Sequence, residues 1–241
     1  MNQQKTDSNF IEIIKILNGH KIKYWICQGT LLGIVRDNQL IPWDHDIDIA
    51  VWSGSISKEK MIKIMISNNF TLRSDHLKEM EDLLTFTKSG GREVDINFYE
   101  VILDKNTNKK MAYANWYIPK NFFCKIIEAL SMAKSYRGRL KYLIKLFYFF
   151  EPLFYKLKVY LIRKNFFYRS AGYTQPVEFL EEFKDIAFHD ITLTIPKKYE
   201  EYLNYVYGKE WKTTKRKYDW TKDSPSTIKN LKGYHKQNDN K

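Results

Sequence analysis

Three acids at alternate positions, Asp44, Asp46 and Asp48, are the clearest indication of chemistry in this sequence. Side chains of an extended strand alternate between two faces, so all three carboxylates would lie on one face. Like charges held this close repel each other unless a cation lies between them. Mg²⁺ and Mn²⁺ are hard cations that prefer oxygen ligands. The spacing therefore predicts a divalent metal site. The alternative is a solvated acidic turn, which the apolar residues 49–51 disfavour because they indicate a strand that continues into a core.

A further acid lies within the apolar segment EVDINFYE, residues 93–100. Asp95 would be partly buried there, and burial of an unpaired carboxylate is costly. A nearby metal would remove that cost. An ion pair with Arg92 would do so as well, and the sequence leaves both explanations open.

A turn containing Gly29 and Thr30 joins a predicted strand over 22–27 to a predicted helix over 30–37. Backbone N–H groups at the start of a helix form a natural cradle for phosphate. Arg36 lies at the end of that helix, where the alternative to a functional role is a solvated helix end.

Composition limits the classes of protein to which this chain can belong. It has 241 residues, 44% of them hydrophobic and 16% aromatic, which is too apolar for a disordered chain. The net charge of +12 predicts an anionic partner, and nucleic acid, an acidic membrane face or a phosphorylated small molecule would all qualify. Cys27 and Cys124 have no zinc-site spacing and are interpreted as reduced core thiols of a cytoplasmic protein. The sequence predicts neither a signal peptide nor a transmembrane span.

Periodicity and turn residues predict the order of the other elements. Helices are expected over 8–19 and 57–68, strands over 45–51, 69–73, 83–88 and 93–100, a polar turn over 104–110, and a return strand over 111–118. Four regions follow from the changes in composition: a core at 1–120, a basic aromatic helical region at 121–185, a C-terminal strand and helix at 186–222, and a flexible tail at 223–241. Gly172 and Pro176 are expected in a loop, residues 186–195 in a short hairpin or strand, and a helix between Pro196 and Gly208.

The densest part of the helical region, residues 136–169, alternates Tyr and Phe with Lys and Arg, and Pro152 is expected to divide two helices. Such a composition suits the interface of an anionic membrane. Helices packed on the core with basic outer faces are the alternative, and the two are compatible. No recognised nucleic-acid motif accompanies the charge, so no specific nucleic-acid partner is expected.

Two segments resemble one family. Residues 29–50, GTLLGIVRDNQLIPWDHDIDIA, resemble the signature of the LicD family, which includes the fukutin-related proteins. Residues 195–211, IPKKYEEYLNYVYGKEW, resemble its closing motif. The resemblance implies an α+β fold of the nucleotidyltransferase, polymerase beta-like type: a mixed sheet flanked by helices, here with the basic aromatic helical region added.

The same resemblance implies roles for individual residues. It assigns metal binding and catalysis to three acids: Asp46, Asp48 and Asp95. It assigns substrate binding to four residues: Gly29, Thr30, Arg36 and Asp44. Asp95 would complete the metal site or accept the proton of the acceptor hydroxyl. His45 receives no role, because the strand argument turns it away from the metal.

The activity implied by the resemblance is a Mg²⁺-dependent (or Mn²⁺-dependent) phosphotransfer. A phospho-alcohol such as phosphocholine would move from a CDP-linked donor to a sugar hydroxyl of a cell-surface glycan, as in lipopolysaccharide or capsule biosynthesis, with release of CMP. The expected partners are that donor, a glycan or lipid-linked glycan acceptor, and an anionic membrane contacted peripherally from the cytoplasmic side.

Three alternatives stay open at this point. A nucleotidyltransferase would release pyrophosphate instead of CMP, and an inactive protein would serve as a scaffold for glycan assembly. A metallohydrolase built on Asp44, His45 and Asp46 is disfavoured, because adjacent positions of a strand face opposite ways.

Overall fold

The computed structural model describes residues 7–73, 80–136, 138–164, 168–216, 218, 223–224, 226–228 and 234–236. The helices within these residues are α1 (Ser8–Gly19), α2 (Gln28–Asp37), α3 (Lys58–Ser67), α4 (Phe122–Ser131), α5 (Lys141–Leu146), α6 (Glu151–Arg163) and α7 (Tyr199–Tyr207), with 3₁₀ turns at Tyr148–Phe150 and Val177–Phe179. The strands are β1 (Trp25–Ile26), β2 (Asp46–Trp52), β3 (Thr71–Leu72), β4 (Leu83–Thr87), β5 (Glu93–Asp104), β6 (Lys110–Pro119), β7 (Tyr168–Pro176), β8 (Phe183–Phe188), β9 (Ile191–Pro196), β10 (Thr227–Ile228) and β11 (Tyr234–Lys236).

The long strand β5 organises one mixed sheet. Its first half lies between β2, which runs parallel to it, and β4, which runs antiparallel. Its second half lies between β6 and β11, both antiparallel. The strand order β1-β2-β5-β6-β7-β10 completes the sheet, and helices flank it. The α+β class and the mixed sheet predicted from the sequence are confirmed.

Strand β2 has the alternation that the sequence predicts. Ile47, Ile49 and Val51 are completely buried in the main core, while Asp46 and Asp48 on the opposite face are only half-buried. Burial of three β-branched side chains stabilises the fold by several kcal/mol, at roughly 1.5–3 kcal/mol each. The apolar face therefore fixes the register of β2 and, with it, the direction of the acids.

Helix α1 covers one side of this core and is fixed at its first turn. The carboxylate of Asp7 caps the helix by accepting from the N–H groups of Asn9 and Phe10. The same carboxylate accepts from the N–H of Arg92 at the start of β5. The Asn9 side chain donates to the backbone oxygens of Lys88 and Arg92. These bonds hold the β4–β5 turn, and so the beginning of β5, in place.

The predicted loop around Gly172 and Pro176 is wrong, because these residues belong to the nine-residue strand β7. Strand β7 pairs antiparallel with β6 along its whole length. The helical part of the 121–185 region therefore ends at residue 164 in the described chain, and the sheet resumes at 168. The close packing of β6 and β7 requires glycine at position 172, since a Cβ there would lie 2.3 Å from the backbone oxygen of Ala114 and from the Tyr113 ring.

Two segments of the tail that the sequence predicts to be flexible, residues 223–241, form strands in the structure. Thr227–Ile228 pairs with β7, and Tyr234–Lys236 pairs with the second half of β5. Both strands add to sheet edges whose N–H and C=O groups would otherwise lack backbone partners.

The hairpin predicted near 186–195 is confirmed as β8–β9, and Gly208 ends α7 as predicted. Pro196 ends β9, and α7 begins three residues later.

Among the described residues, no helix combines the length and the apolarity that crossing a bilayer requires.

Replacement of Gly172 by Ala should destabilise the protein by about 1–3 kcal/mol, because the added methyl group forces β7 away from β6. Urea unfolding followed by circular dichroism measures this change. Gly54→Ala is the matched control, since a Cβ at Gly54 meets nothing within 4 Å. Equal unfolding midpoints for the two variants would contradict the close approach of β6 and β7.

Candidate functional site

The register of β2 and β5 brings the three predicted metal ligands together. Asp48 and Asp95 are direct partners on these parallel strands, so their side chains lie on the same face. Asp46 precedes Asp48 by two residues on that face. One carboxylate oxygen from each acid lies within 4.8 Å of the other two. The sequence predicts this triad, and the structure assembles it.

Helix α2 begins beside the triad, at Gln28, two residues earlier than predicted. The N–H of Gly29 donates to Asp48 Oδ2 at 3.0 Å, and the Asp48 N–H donates to Thr30 Oγ1 at 2.7 Å. The partial positive charge of the helix N-terminus thus lies against the Asp48 carboxylate. A Cβ at Gly29 would lie 2.6 Å from Asp44 Oδ2, so only glycine lets the acids approach the helix. Gly29 and Thr30 hold Asp48 in this structure, and Asp44 lies directly over Gly29.

The carboxyl groups of the triad resist ionisation. Burial, and then the neighbouring Asp44, raises the pKa of Asp46 to about 7. Burial, and then the charge of Asp46, raises the pKa of Asp95 to about 7. Burial and the neighbouring acids raise the pKa of Asp48 well above its ordinary value. Three crowded carboxylates with too little positive charge nearby are the donor set that a hard divalent cation prefers, so the residues fit Mg²⁺ or Mn²⁺.

The sequence left open an ion pair between Asp95 and Arg92. Arg92 instead faces Asp7, with its Nε 3.9 Å from Asp7 Oδ2. The Thr85 hydroxyl donates to Asp95 from the neighbouring strand β4. Arg73, which forms an ion pair with Glu93 at 3.2 Å, lowers the pKa of Asp95 by its charge but does not cancel the effect of burial.

The triad opens into a cleft of about 490 Å³. Aromatic side chains from distant parts of the chain line it together with the acids: Trp43, Trp116, Tyr117, Tyr173, Tyr207, Trp211 and Tyr218. Basic side chains also line it: Arg36, Arg73, Lys158, Lys215 and Arg216. An aromatic cleft that carries both acids and cations can hold a metal, an anionic group and a planar or apolar group side by side.

Trp43 stands at the edge of the cleft, 41% exposed. The guanidinium carbon of Arg216 lies 5.7 Å from the centre of its ring, within the range of a cation–π contact. Trp43 is thus in contact with Arg216 and still leaves part of its ring open to solvent.

Arg36 lines the cleft as the resemblance requires, yet its guanidinium is bound to a neighbour. Its Nη2 donates to Asp37 Oδ2 at 2.6 Å and its Nε to the same carboxylate at 2.9 Å. A substrate phosphate would have to share or replace this partner. His45 lies outside the cleft, in a shallow depression with Asp7 and Arg92, as the strand alternation predicts.

Several cleft residues were given no role from the sequence. Tyr207 and Trp211 belong to the closing motif at residues 195–211, and both line the cleft that contains the acids. Burial, and then the charge of Asp48, raises the pKa of the Tyr207 hydroxyl well above its ordinary value, which keeps it protonated. Arg73 and Arg216 lie outside both motifs, so only the tertiary structure brings them to the site.

Comparison with known proteins finds similarity to one family. Residues 21–129 match the family model described as LicD/FKTN/FKRP, nucleotidyltransferase domain. The ribitol 5-phosphate transferases FKRP of Mus musculus and Homo sapiens are each 35% identical over 51 residues. That match covers 21% of this chain and 10% of each transferase. The uncharacterized protein RP689 of Rickettsia prowazekii is 51% identical over 37 residues, 15% of this chain and 14% of that protein. The chain therefore matches only about a tenth of the length of the transferases.

Replacement of Asp46 by Asn should stabilise the metal-free protein at about pH 8 by roughly 1–3 kcal/mol. The pKa of Asp46 is raised from 3.8 to about 7 on folding, so the free energy of unfolding falls as the pH rises between those values. Above pH 7 Asp46 is ionised, and its full destabilising effect is present. Asn removes that charge and can still donate to Asp44. Urea unfolding in a chelator measures the gain, which should shrink towards pH 4.

The control for this prediction is Asp190→Asn, at an exposed turn residue, which should leave the unfolding free energy unchanged at both pH values. An Asp46→Asn protein that is less stable than the parent at pH 8 would contradict the crowding of the triad.

Proposed function

We propose that this protein, whose residues 21–129 match the LicD family model, is a metal-dependent phosphotransferase that moves a phospho-alcohol from a CDP-linked donor to a sugar hydroxyl of a glycan. The observation that carries the proposal is the triad of Asp46, Asp48 and Asp95 at one end of an aromatic, partly basic cleft. The names of the FKRP transferases support phospho-alcohol transfer as the reaction class.

The three acids are the residues that would hold the metal. Asp46 and Asp48 project from β2 and Asp95 from β5, and each offers one oxygen to the same point. A bound Mg²⁺ would offset the charge that develops on the donor's diphosphate as CMP leaves. Thr30 and Gly29 keep Asp48 oriented through its backbone N–H and its Oδ2, and Thr85 does the same for Asp95.

Basic side chains around the triad would orient the phosphates. Arg36 and Arg216 line the same cleft as the acids, on the side of α2 and of the segment after α7. A guanidinium can bind two phosphate oxygens at once, which fixes the orientation of the group as well as its position. In this proposal, Arg36 exchanges part of its contact with Asp37 for the donor phosphate.

The aromatic wall would hold the groups at either end of the diphosphate. Trp43 offers an exposed ring for a nucleobase, and Tyr173 and Tyr207 lie close enough to Asp48 to be affected by its charge. Ring faces also attract quaternary ammonium groups, so a phosphocholine donor is compatible with the same wall.

Incubation with Mg²⁺ and each of CDP-choline, CDP-ethanolamine, CDP-glycerol and CDP-ribitol should identify one donor that raises the thermal midpoint and from which CMP is released when a glycan acceptor is present. Asp48→Asn should lower the release of CMP by about a hundredfold or more, since it removes a metal ligand. Asp190→Asn should retain the parent rate. Chromatographic analysis of the nucleotide product measures both effects.

The same product analysis separates the main alternatives. With CTP and the same acceptor, release of pyrophosphate and transfer of the CMP group, together with no CMP released from any CDP-linked donor, would establish a nucleotidyltransferase, the activity for which the matching domain is named. A protein that binds neither Mg²⁺ nor any of the four donors in calorimetry would contradict catalysis and favour a scaffold.

Asp95→Asn separates the two roles of this acid. As a metal ligand, Asp95 contributes to affinity, so the variant should bind Mg²⁺ about ten- to a hundredfold more weakly and recover part of its activity at high Mg²⁺. Calorimetric titration and the dependence of rate on Mg²⁺ concentration measure this. An unchanged Mg²⁺ affinity with lost transfer would instead assign Asp95 to proton acceptance.

A further inference from the structure

The helices α5 and α6, with the 3₁₀ turn between them, present an unusually apolar exposed surface. Tyr142, Leu146 and Phe149 are each more than 70% exposed, at 78%, 72% and 73%. Other exposed apolar side chains extend this surface: Leu140, Leu143, Phe147, Tyr148, Phe150, Leu153 and Tyr160. Exposed patches of this kind in soluble domains mark a docking surface. We call residues 138–164 the helical insert.

The charges of the helical insert are almost all of one sign. Its exposed ionisable side chains are basic: Arg139, Lys141, Lys145, Lys156, Arg163 and Lys164. Its one acid, Glu151, is buried and accepts from the N–H of Lys134 at 2.9 Å. Aromatic and aliphatic side chains interleaved with lysines suit the interface of a bilayer that carries anionic headgroups.

The opposite side of α6 is firmly packed on the body of the protein. Leu161 and Ile162 are buried with Ile127 of α4 and Tyr168 of β7. Lys158 is 1% exposed, and its Nζ lies 2.8 Å from Glu128 Oε1. Helix α6 is therefore fixed on the body of the protein, with Leu153 and Tyr160 exposed.

The same buried pair links this surface to the active-site cleft. Lys158 and Glu128 both line the cleft that contains the acid triad, along with Trp116 and Tyr117 of β6. Helix α6 thus contributes Leu153 and Tyr160 to the exposed surface and Lys158 to the cleft wall.

We propose that the helical insert docks on an anionic phospholipid bilayer, with its aromatic side chains in the interface and its lysines and arginines on the headgroups. A second copy of this chain is a poorer occupant, because a twofold contact would bring two surfaces of the same positive sign together. The docking proposal is argued from the exposed surface and does not depend on the proposed function. Its use, to present a lipid-linked acceptor to the cleft, rests on the function proposed above.

Sedimentation with vesicles tests the proposal on the full chain, without donor or metal, so its outcome is independent of catalysis. Vesicles of phosphatidylcholine with roughly a third phosphatidylglycerol should pellet the protein, and pure phosphatidylcholine should do so much less. Raising the salt from about 0.1 M to about 0.5 M should release most of it. Absence of binding to anionic vesicles, or equal binding to both compositions, would overturn the proposal.

A double variant and a single control variant identify the surface. Leu146→Glu with Phe149→Glu should lower the partition coefficient about tenfold or more, whereas Ile66→Glu, at a 54% exposed position of α3, should not. Binding by the double variant at the parent level would overturn the proposal. A parent that is dimeric in light scattering, becomes monomeric in the double variant and binds no vesicles would assign the surface to a second copy instead.

Charge reversal provides a second test that leaves the apolar side chains in place. Lys141→Glu with Lys145→Glu should weaken binding to anionic vesicles by about tenfold or more, and Lys60→Glu with Lys63→Glu on α3 should have a much smaller effect. Equal losses in the two pairs would overturn a specific role for the helical insert. Circular dichroism and thermal midpoints equal to those of the parent show that each variant is folded.

Discussion

Asp48 and Asp95 lie opposite each other on neighbouring parallel strands, with Asp46 two residues before Asp48 on the same half-buried face. Their mutual repulsion and their desolvation raise the pKa of all three, so without a cation the site works against folding. The surrounding structure offsets this cost through the buried opposite face of β2 and through the α2 N-terminus directed at Asp48. Carboxyl groups kept close together despite repulsion and desolvation are typical of metal-binding and other functional sites.

Much of this site could be predicted from local patterns. The two-residue period of β2 determines which side chains share a face, so the common orientation of Asp46 and Asp48 and the outward position of His45 follow from spacing alone. The apolar surroundings of Asp95 indicated a metal or an ion pair with Arg92, the resemblance to LicD assigned Asp95 to the metal site, and the register of β5 confirms that it lies beside Asp48. The motif around Tyr207 and Trp211 was recognised without a role, because only the fold brings α7 to the acids.

The failures concern long-range pairing. Gly172 is a turn signal when read locally, yet it lies within β7 because β6 passes too close for a side chain. The tail looks polar and flexible, yet two segments of it complete sheet edges formed far earlier in the chain. Likewise, the pairing of Lys158 with Glu128 depends on the packing of α6 against α4, which no pattern within either helix encodes.

We infer that the three aspartates form one divalent cation site that faces a donor nucleotide. An anomalous difference map from a crystal grown with Mn²⁺ and a CDP-linked donor would test this site. A peak is expected at about 2.0–2.3 Å from oxygens of Asp46, Asp48 and Asp95, with the diphosphate bound to the same ion. A bound donor without a peak between these three carboxylates, or with the ion elsewhere, would contradict it.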